Sequence, residues 1–304
     1  MTAASQAAAA EPAAAGLRFV GAMLSDVGLV RSLNEDSVAF VVPPESPNPE
    51  SRNGLLLVAD GMGGHSAGEV ASAIAAEVVR RCFFELQGTV PQVLSLAFAA
   101  ANKAIFDYGQ SHPECAGMGT TCTALAIRSD KIWLGHVGDS RAYLLRGTTL
   151  KQLSDDQTLV AKMVRDGVMT AEEAKTSEHN NIILQALGTT PEVSPDIWSD
   201  GIALRPGDTL VLCSDGLHGL VADEVIAEIA GRLAPQEACQ ELVQRALQAG
   251  GHDNVSVGVF RALAAAAETA DARDRETRRI PALNPEDGSA ARATRQLPAF
   301  ERQQ

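Results

Sequence analysis

Short apolar or alternating runs and longer segments with helical spacing follow one another in blocks along the chain. Leu17–Leu24 reads as a strand, Ser25–Asp36 as a polar loop and Ser37–Val42 as a second strand. A proline-rich surface loop follows, and then Leu55–Ala59, a continuous apolar run that reads as a buried strand. That strand delivers Asp60 to a glycine-rich turn containing Gly61, Gly63, Gly64 and Gly68. Ala67–Phe84 places Val70, Ile74, Val78 and Val79 on one helical face, and Pro91–Tyr108 is a second helix with its proline near the first turn. The next block is β-rich. Thr120–Ile127, Lys131–Val137, Arg141–Arg146 and Thr149–Leu153 are short, β-branched or alternating, with turns such as Arg128-Ser129-Asp130 between them. Residues 155–187 turn polar and helical, with a break at Gly167 and a capping signal at Thr170 and Glu173. Asp196–Leu204 is a weak strand and Thr209–Cys213 a buried one. Ala222–Gly231 and Pro235–Ala249 are amphipathic helices, and Val255–Phe260 alternates as a closing strand. Two helices in succession after paired strands indicate layers, not βαβ units.

Composition sets the limits around this pattern. The 304 residues are 45% hydrophobic but only 4% aromatic, so the core is aliphatic. Residues 1–16 are Ala-rich and residues 262–304 lack an apolar period. Both are expected to be disordered, leaving a domain at 17–261. The net charge is −13, and the tail from Ala262 is neutral, with seven acidic residues and seven arginines. The middle therefore carries the acidic excess. That excludes duplex nucleic acid and anionic membranes as bulk electrostatic partners. It suits either a solvated surface or a carboxylate cluster that expects cations. Five cysteines without CxxC spacing fit free thiols in a reducing compartment. The N-terminus lacks the basic region of a signal peptide, and no apolar run reaches about 18 residues. The expectation is a soluble, cytoplasmic monomer.

Several strand-to-turn junctions carry an aspartate: Asp60-Gly61, Asp139-Ser140, Asp215-Gly216 and Asp253-Asn254. One such residue is ordinary turn chemistry. Four at the ends of sheet strands, with Glu35 and Asp36 in a neighbouring loop, raise a different possibility. If they converge, they cannot all ionise without cations. Oxygen ligands select magnesium, manganese or calcium over zinc. Arg31, in the same loop as Glu35, has the fork to hold phosphate oxygens.

In order along the chain stand Arg31-Ser32-Leu33-Asn34-Glu35-Asp36, Asp60-Gly61-Met62-Gly63-Gly64, Gly117-Met118-Gly119-Thr120-Thr121, Gly138-Asp139-Ser140-Arg141, Ser214-Asp215-Gly216 and Asp253-Asn254. The ordered set resembles the bacterial metal-dependent protein serine/threonine phosphatases of type 2C, over about Leu17 to Phe260. The resemblance implies an α+β fold, a four-layer α-β-β-α sandwich with two antiparallel sheets face to face and helices outside. It implies hydrolysis of phosphoserine and phosphothreonine by a metal-bridging hydroxide, reversing a cognate Ser/Thr kinase, with two or three Mn2+ or Mg2+ ions. Asp60 would bridge two ions, with the Gly61 carbonyl, Asp215 and Asp253 completing the direct ligands and Glu35 acting through water. Asp36 and Asn254 would stand behind the ligands, and Arg31 would bind the substrate phosphate. Asp139 would hold a third ion, with Asn181 as its partner. The insertion at 154–188 matches a flap beside the site. A low-turnover binding module on the same scaffold, and an enzyme dedicated to one regulator protein, are the rival readings.

Other residues take simpler readings. Met62 stands where some relatives carry a proton-donating histidine, so the acid is left to metal-bound water, and His65 is a turn histidine. The glycines after Asp60 lack the GxxxxGK[ST] pattern and serve close packing. His136 reads as a core histidine with a satisfied partner. Cys213 reads as an inert buried thiol, and Ser214 lacks a nucleophile elbow. Thr277 and Thr294, set among arginines in the tail, are candidate kinase sites.

Overall fold

The computed structural model describes residues 16–44, 53–63, 67–175, 177–179 and 182–265. His65, Asn181, Thr277 and Thr294 lie outside these residues.

Five strands form one antiparallel sheet: β1 (Leu17–Asp26), β12 (Val255–Ala264), β11 (Thr209–Cys213), β7 (Arg141–Arg146) and β8 (Thr149–Gln152), in that spatial order. The second sheet runs β10 (Ile202–Ala203), β6 (Lys131–Val137), β5 (Cys122–Arg128), β3 (Asn53–Met62), β2 (Asp36–Val41). Two short strands attach to it, β4 (Gly119–Thr120) on β3 and β9 (Asp196–Ile197) on β6. Helices α1 (Ala67–Glu85) and α2 (Val90–Ser111) cover the second sheet. Helices α5 (Asp215–His218), α6 (Asp223–Arg232) and α7 (Pro235–Gln248) cover the first. The insertion carries α3 (Leu159–Arg165) and α4 (Ala171–Lys175). The α-β-β-α sandwich is thus present.

The apolar run of β3 has a simple cause. Leu55, Leu57 and Ala59 pack under α1 and α2, whereas Leu56 and Val58 face the other sheet. A strand covered on both faces has no polar side to alternate with. The same division splits β11, with Val211 and Cys213 toward the helices and Leu210 and Leu212 toward the sheet interface.

Four expectations change. The strand expected at Asp196–Leu204 is two short strands on β6: Trp198 N still reaches its in-register partner Leu134 O (3.0 Å), and the break lies across residues 199–201, where the register shifts by two. The strand expected at Thr120–Ile127 is broken at Thr121, which stays in register with β3 through its N–H to Asp60 O (2.9 Å) but takes the Asp60 N–H on its hydroxyl and not on its carbonyl. β3 itself continues through Gly61 to Met62, paired with Thr120 and Gly119, so Asp60 lies within a strand and not at its exit. β12 also runs past the boundary at 261, to Ala264. The Thr170 cap forms as expected: Thr170 N donates to Glu173 Oε2 (2.8 Å) and Glu173 N to Thr170 Oγ1 (3.3 Å).

Leu57 is fully buried and Leu96 on α2 is 56% exposed. Leu57→Ala should therefore cost about 2–5 kcal/mol of unfolding free energy, and Leu96→Ala no more than about 0.5 kcal/mol. Urea titrations with equal midpoints for the two variants would contradict this layering.

Candidate active site

Antiparallel registers gather the acidic junctions at one end of the sandwich. β3 ends there and β2 begins there, so Asp36 is the cross-strand partner of Asp60. In the other sheet β1 and β11 end there while β7 and β12 begin, with Cys213 opposite both Arg141 and Val257. Asp215, Asp253 and Asp139 lie just beyond these strand ends.

The backbone around Asp60 is held from several sides. Its N–H donates to Thr121 Oγ1 (2.9 Å), and its carbonyl accepts from Thr121 N (2.9 Å) and Thr120 Oγ1 (2.9 Å). Thr121 Oγ1 in turn meets Ser140 Oγ (2.8 Å), one residue after Asp139. Ser214 Oγ donates to Asp36 Oδ2 (2.8 Å) and accepts from Ser256 N (3.0 Å). Asn254 Oδ1 accepts from Glu35 N (2.8 Å), and its amide donates to Val27 O and Leu33 O (both 2.9 Å). Arg31 Nη2 pairs with Asp253 Oδ2 at 2.9 Å. A Cβ on Gly61 would lie 2.1 Å from Gly68 O, and one on Gly68 would lie 2.7 Å from Glu35 Oε1. Here the absence of side chains is what lets α1 approach the strand.

Burial dominates the electrostatics. It raises the Asp60 carboxyl well above the ordinary range, and the charges of Asp36, Asp215 and Asp139 add to the effect. Asp36 is pushed up to about 7 by burial, against the hydrogen bonds from Ser256 and Ser214. Asp139 is raised to about 7 by burial and by the charges of Asp215 and Asp156. Asp215 is raised by burial and by Asp253, and it shares a side-chain hydrogen bond with Asp60. Glu35 is raised by burial, while Arg31 and the Gly68 N–H pull it back. Five carboxyl groups that resist ionisation in one place form a site made for positive charge.

Two sealed oxygens, Asp36 Oδ1 and Asp215 Oδ1, have no hydrogen-bond partner. Among the described residues no group of three or more His, Cys, Asp or Glu side chains is already arranged to hold a metal ion. Asp253 is turned to Arg31, and Asp60 to Asp215. Magnesium and manganese keep several waters and need only one or two carboxylates each. The all-oxygen set of Asp60, Asp215, Asp253, Asp139 and the Gly61 carbonyl therefore fits such ions.

Every described residue singled out from sequence is in this region: Arg31, Glu35, Asp36, Asp60, Gly61, Asp139, Asp215, Asp253 and Asn254. The supports carry no local mark in the sequence: Thr121 follows a glycine motif, Ser214 lacks a nucleophile elbow, and Ser72, which donates to Glu35 O (2.6 Å) from α1, lies in an ordinary helical stretch. His218 is likewise unmarked. Its Nε2 contacts Asp139 O (3.0 Å), and burial lowers it to about 4. The insertion is rooted at the site, where Gln157 N donates to Gly138 O (2.8 Å) and Leu187 pairs with Thr120.

The sequence model of protein phosphatase 2C matches residues 21–162. The protein phosphatase PhpP of Streptococcus pneumoniae is 36% identical over 242 residues, 78% of this chain and 95% of that protein. The chain belongs to the protein phosphatase 2C family. The serine/threonine protein phosphatase PstP of Mycobacterium tuberculosis is 41% identical over 236 residues, 77% of this family member. The match spans only 43% of that relative's length. A solved catalytic domain of PstP in complex with two manganese ions superposes with a TM-score of 0.71 at 38% identity. It covers 81% of this chain and 99% of that domain.

Asp36 and Asp139 keep their protons to about 7 in the folded chain, from an ordinary value of 3.8. The folded state then binds more protons than the unfolded state between about pH 4 and pH 7, so stability falls as pH rises through that window. In chelator, thermal unfolding should shift to lower temperature from pH 5 to pH 7.5, and manganese should reverse the shift. A melting temperature that rises over this interval in chelator would refute the account.

Proposed function

We propose that this chain is a metal-dependent protein phosphatase that hydrolyses phosphoserine and phosphothreonine in proteins modified by a Ser/Thr kinase. The observation that carries the reading is the meeting of Asp60, Asp215, Asp253 and Arg31 at one end of the sandwich, in a chain of this family. Bound manganese or magnesium supplies positive charge to phosphoryl oxygens and lowers the pKa of water.

Asp60 and the Gly61 carbonyl would hold two ions between them, with Asp215 and Asp253 as the other direct ligands and Glu35 acting through water. Asp139 would serve a third. Asp36 and Asn254 keep these groups in place, Asp36 through Ser214 and Asn254 through Glu35 N. Arg31, with its side chain half exposed, presents its guanidinium to the oxygens of an arriving phosphate. The chain's own nucleophiles are poor candidates for a phosphoenzyme. Burial pushes the Cys213 thiol up to about 12, and the Ser214 hydroxyl is committed to Asp36. Attack by water agrees with this. Met62 has no proton to give the leaving oxygen. The five free thiols support a reducing, cytoplasmic setting.

Phosphate release from a phosphothreonine peptide should require Mn2+ or Mg2+. Arg31→Ala should lower kcat/KM about 10²–10³-fold, and Asp60→Asn should lower it further because it alters the shared ligand. Asp60→Asn with wild-type turnover would defeat the reading.

A further inference from the structure

A second concave surface lies away from the carboxylates. It is a cleft of about 720 Å³ between the β7–β8 hairpin and α6. Its floor is apolar, made by Leu145, Leu150 and Ala227, and Gly147 and Gly231 add no side chains to fill it. Its rim is acidic: Asp223, Glu224 and Glu228 face a single cation, Arg232, which lies 3.9 Å from Glu228. Asp223 already accepts from Tyr143 Oη (3.1 Å), which leaves Glu224, and Glu228 in exchange for its long, exposed contact with Arg232, as the carboxylates for a visitor.

The cleft also runs beside a sheet edge. β8 is the last strand of its sheet and, among the described residues, pairs only with β7. Its outer N–H and C=O groups form a template for one more strand. The register places Leu150 opposite Leu145, on the face that α6 covers. Every second side chain of an added strand would therefore project over Leu150 and Ala227, toward the α6 rim. Long cationic side chains suit that path, with stems on the apolar floor and heads at Glu224 and Glu228.

We propose that the β8–α6 cleft docks an extended segment of a partner protein with Arg or Lys at alternate positions, added as a strand to β8. The inference does not depend on the phosphatase reading, because none of these residues belongs to the carboxylate site.

The test uses the full chain and a fluorescein-labelled peptide alternating threonine and arginine, read by fluorescence anisotropy. The Glu224→Arg/Glu228→Arg double variant should bind at least about tenfold more weakly. An equal charge change elsewhere, Glu77→Arg/Glu237→Arg, should change affinity by less than about twofold. Urea midpoints within error of wild type establish that both variants fold. A peptide of equal charge, N-methylated at the amides that would bond to β8, should lose binding. Hydrogen exchange should slow at residues 149–152 when the unmethylated peptide is present. Equal weakening by both charge variants would reduce the effect to net charge and overturn the proposal. Undiminished binding of the methylated peptide would overturn strand addition. Light scattering that shows the chain dimerising through Glu224 and Glu228 would assign the cleft to a second copy and overturn it too.

Discussion

Placing Asp36 directly across from Asp60 on adjacent strands is the constraint on which the rest of this site depends. Like charges facing each other across a ladder are unfavourable. Here burial sharpens the conflict, and Asp215 and Asp139 add to it. The pair persists because it is held by strand register: a slip of one residue would turn Leu56 and Val58 out of the interface between the sheets. The hydrophobic core thus enforces an electrostatic arrangement that the carboxylates would not choose. The carboxyls answer it by keeping their protons, which a divalent cation would displace.

The surroundings of Asp60 show how the position is kept. Strand pairing holds its main chain on one side. On the other, Thr121 stays in register and gives its N–H, and the hydroxyls of Thr120 and Thr121 add two further bonds. Ser214 and Asn254 do the same work for Asp36 and Glu35. These supports are short side chains on strand ends and breaks, so they add hydrogen bonds with little loss of rotamer freedom. Gly61 and Gly68 complete the arrangement by letting the first turn of α1 approach the strand and the Glu35 carboxylate.

Much of this could be read along the chain. Helices α1 and α2, strands β6, β7 and β11, and the Thr170 cap follow from periodicity and local chemistry, and they appear where those signals lie. The acidic junctions were visible because Asp followed by Gly, Ser or Asn recurs after apolar runs. Reading failed where a residue's partner is distant in sequence. Thr121 takes the Asp60 N–H of β3 on its hydroxyl, and His218 reaches back to the carbonyl of Asp139. Nothing local distinguishes that threonine or that histidine from its neighbours.

By itself, the sequence determined the layers, the aliphatic core, the order of the acidic junctions and the family they belong to. These depend on local periodicity and on motif order, both one-dimensional. Only the tertiary structure decided that Asp60 lies inside a strand, which oxygens of Asp36 and Asp215 lack donors, and that Arg31 meets Asp253. It also decided that an acidic rim on α6 stands beside β8, which among the described residues pairs only with β7. Each is a matter of register and of packing between segments far apart in the chain. Such relations are set by how whole faces fit together, and no single stretch of residues carries them.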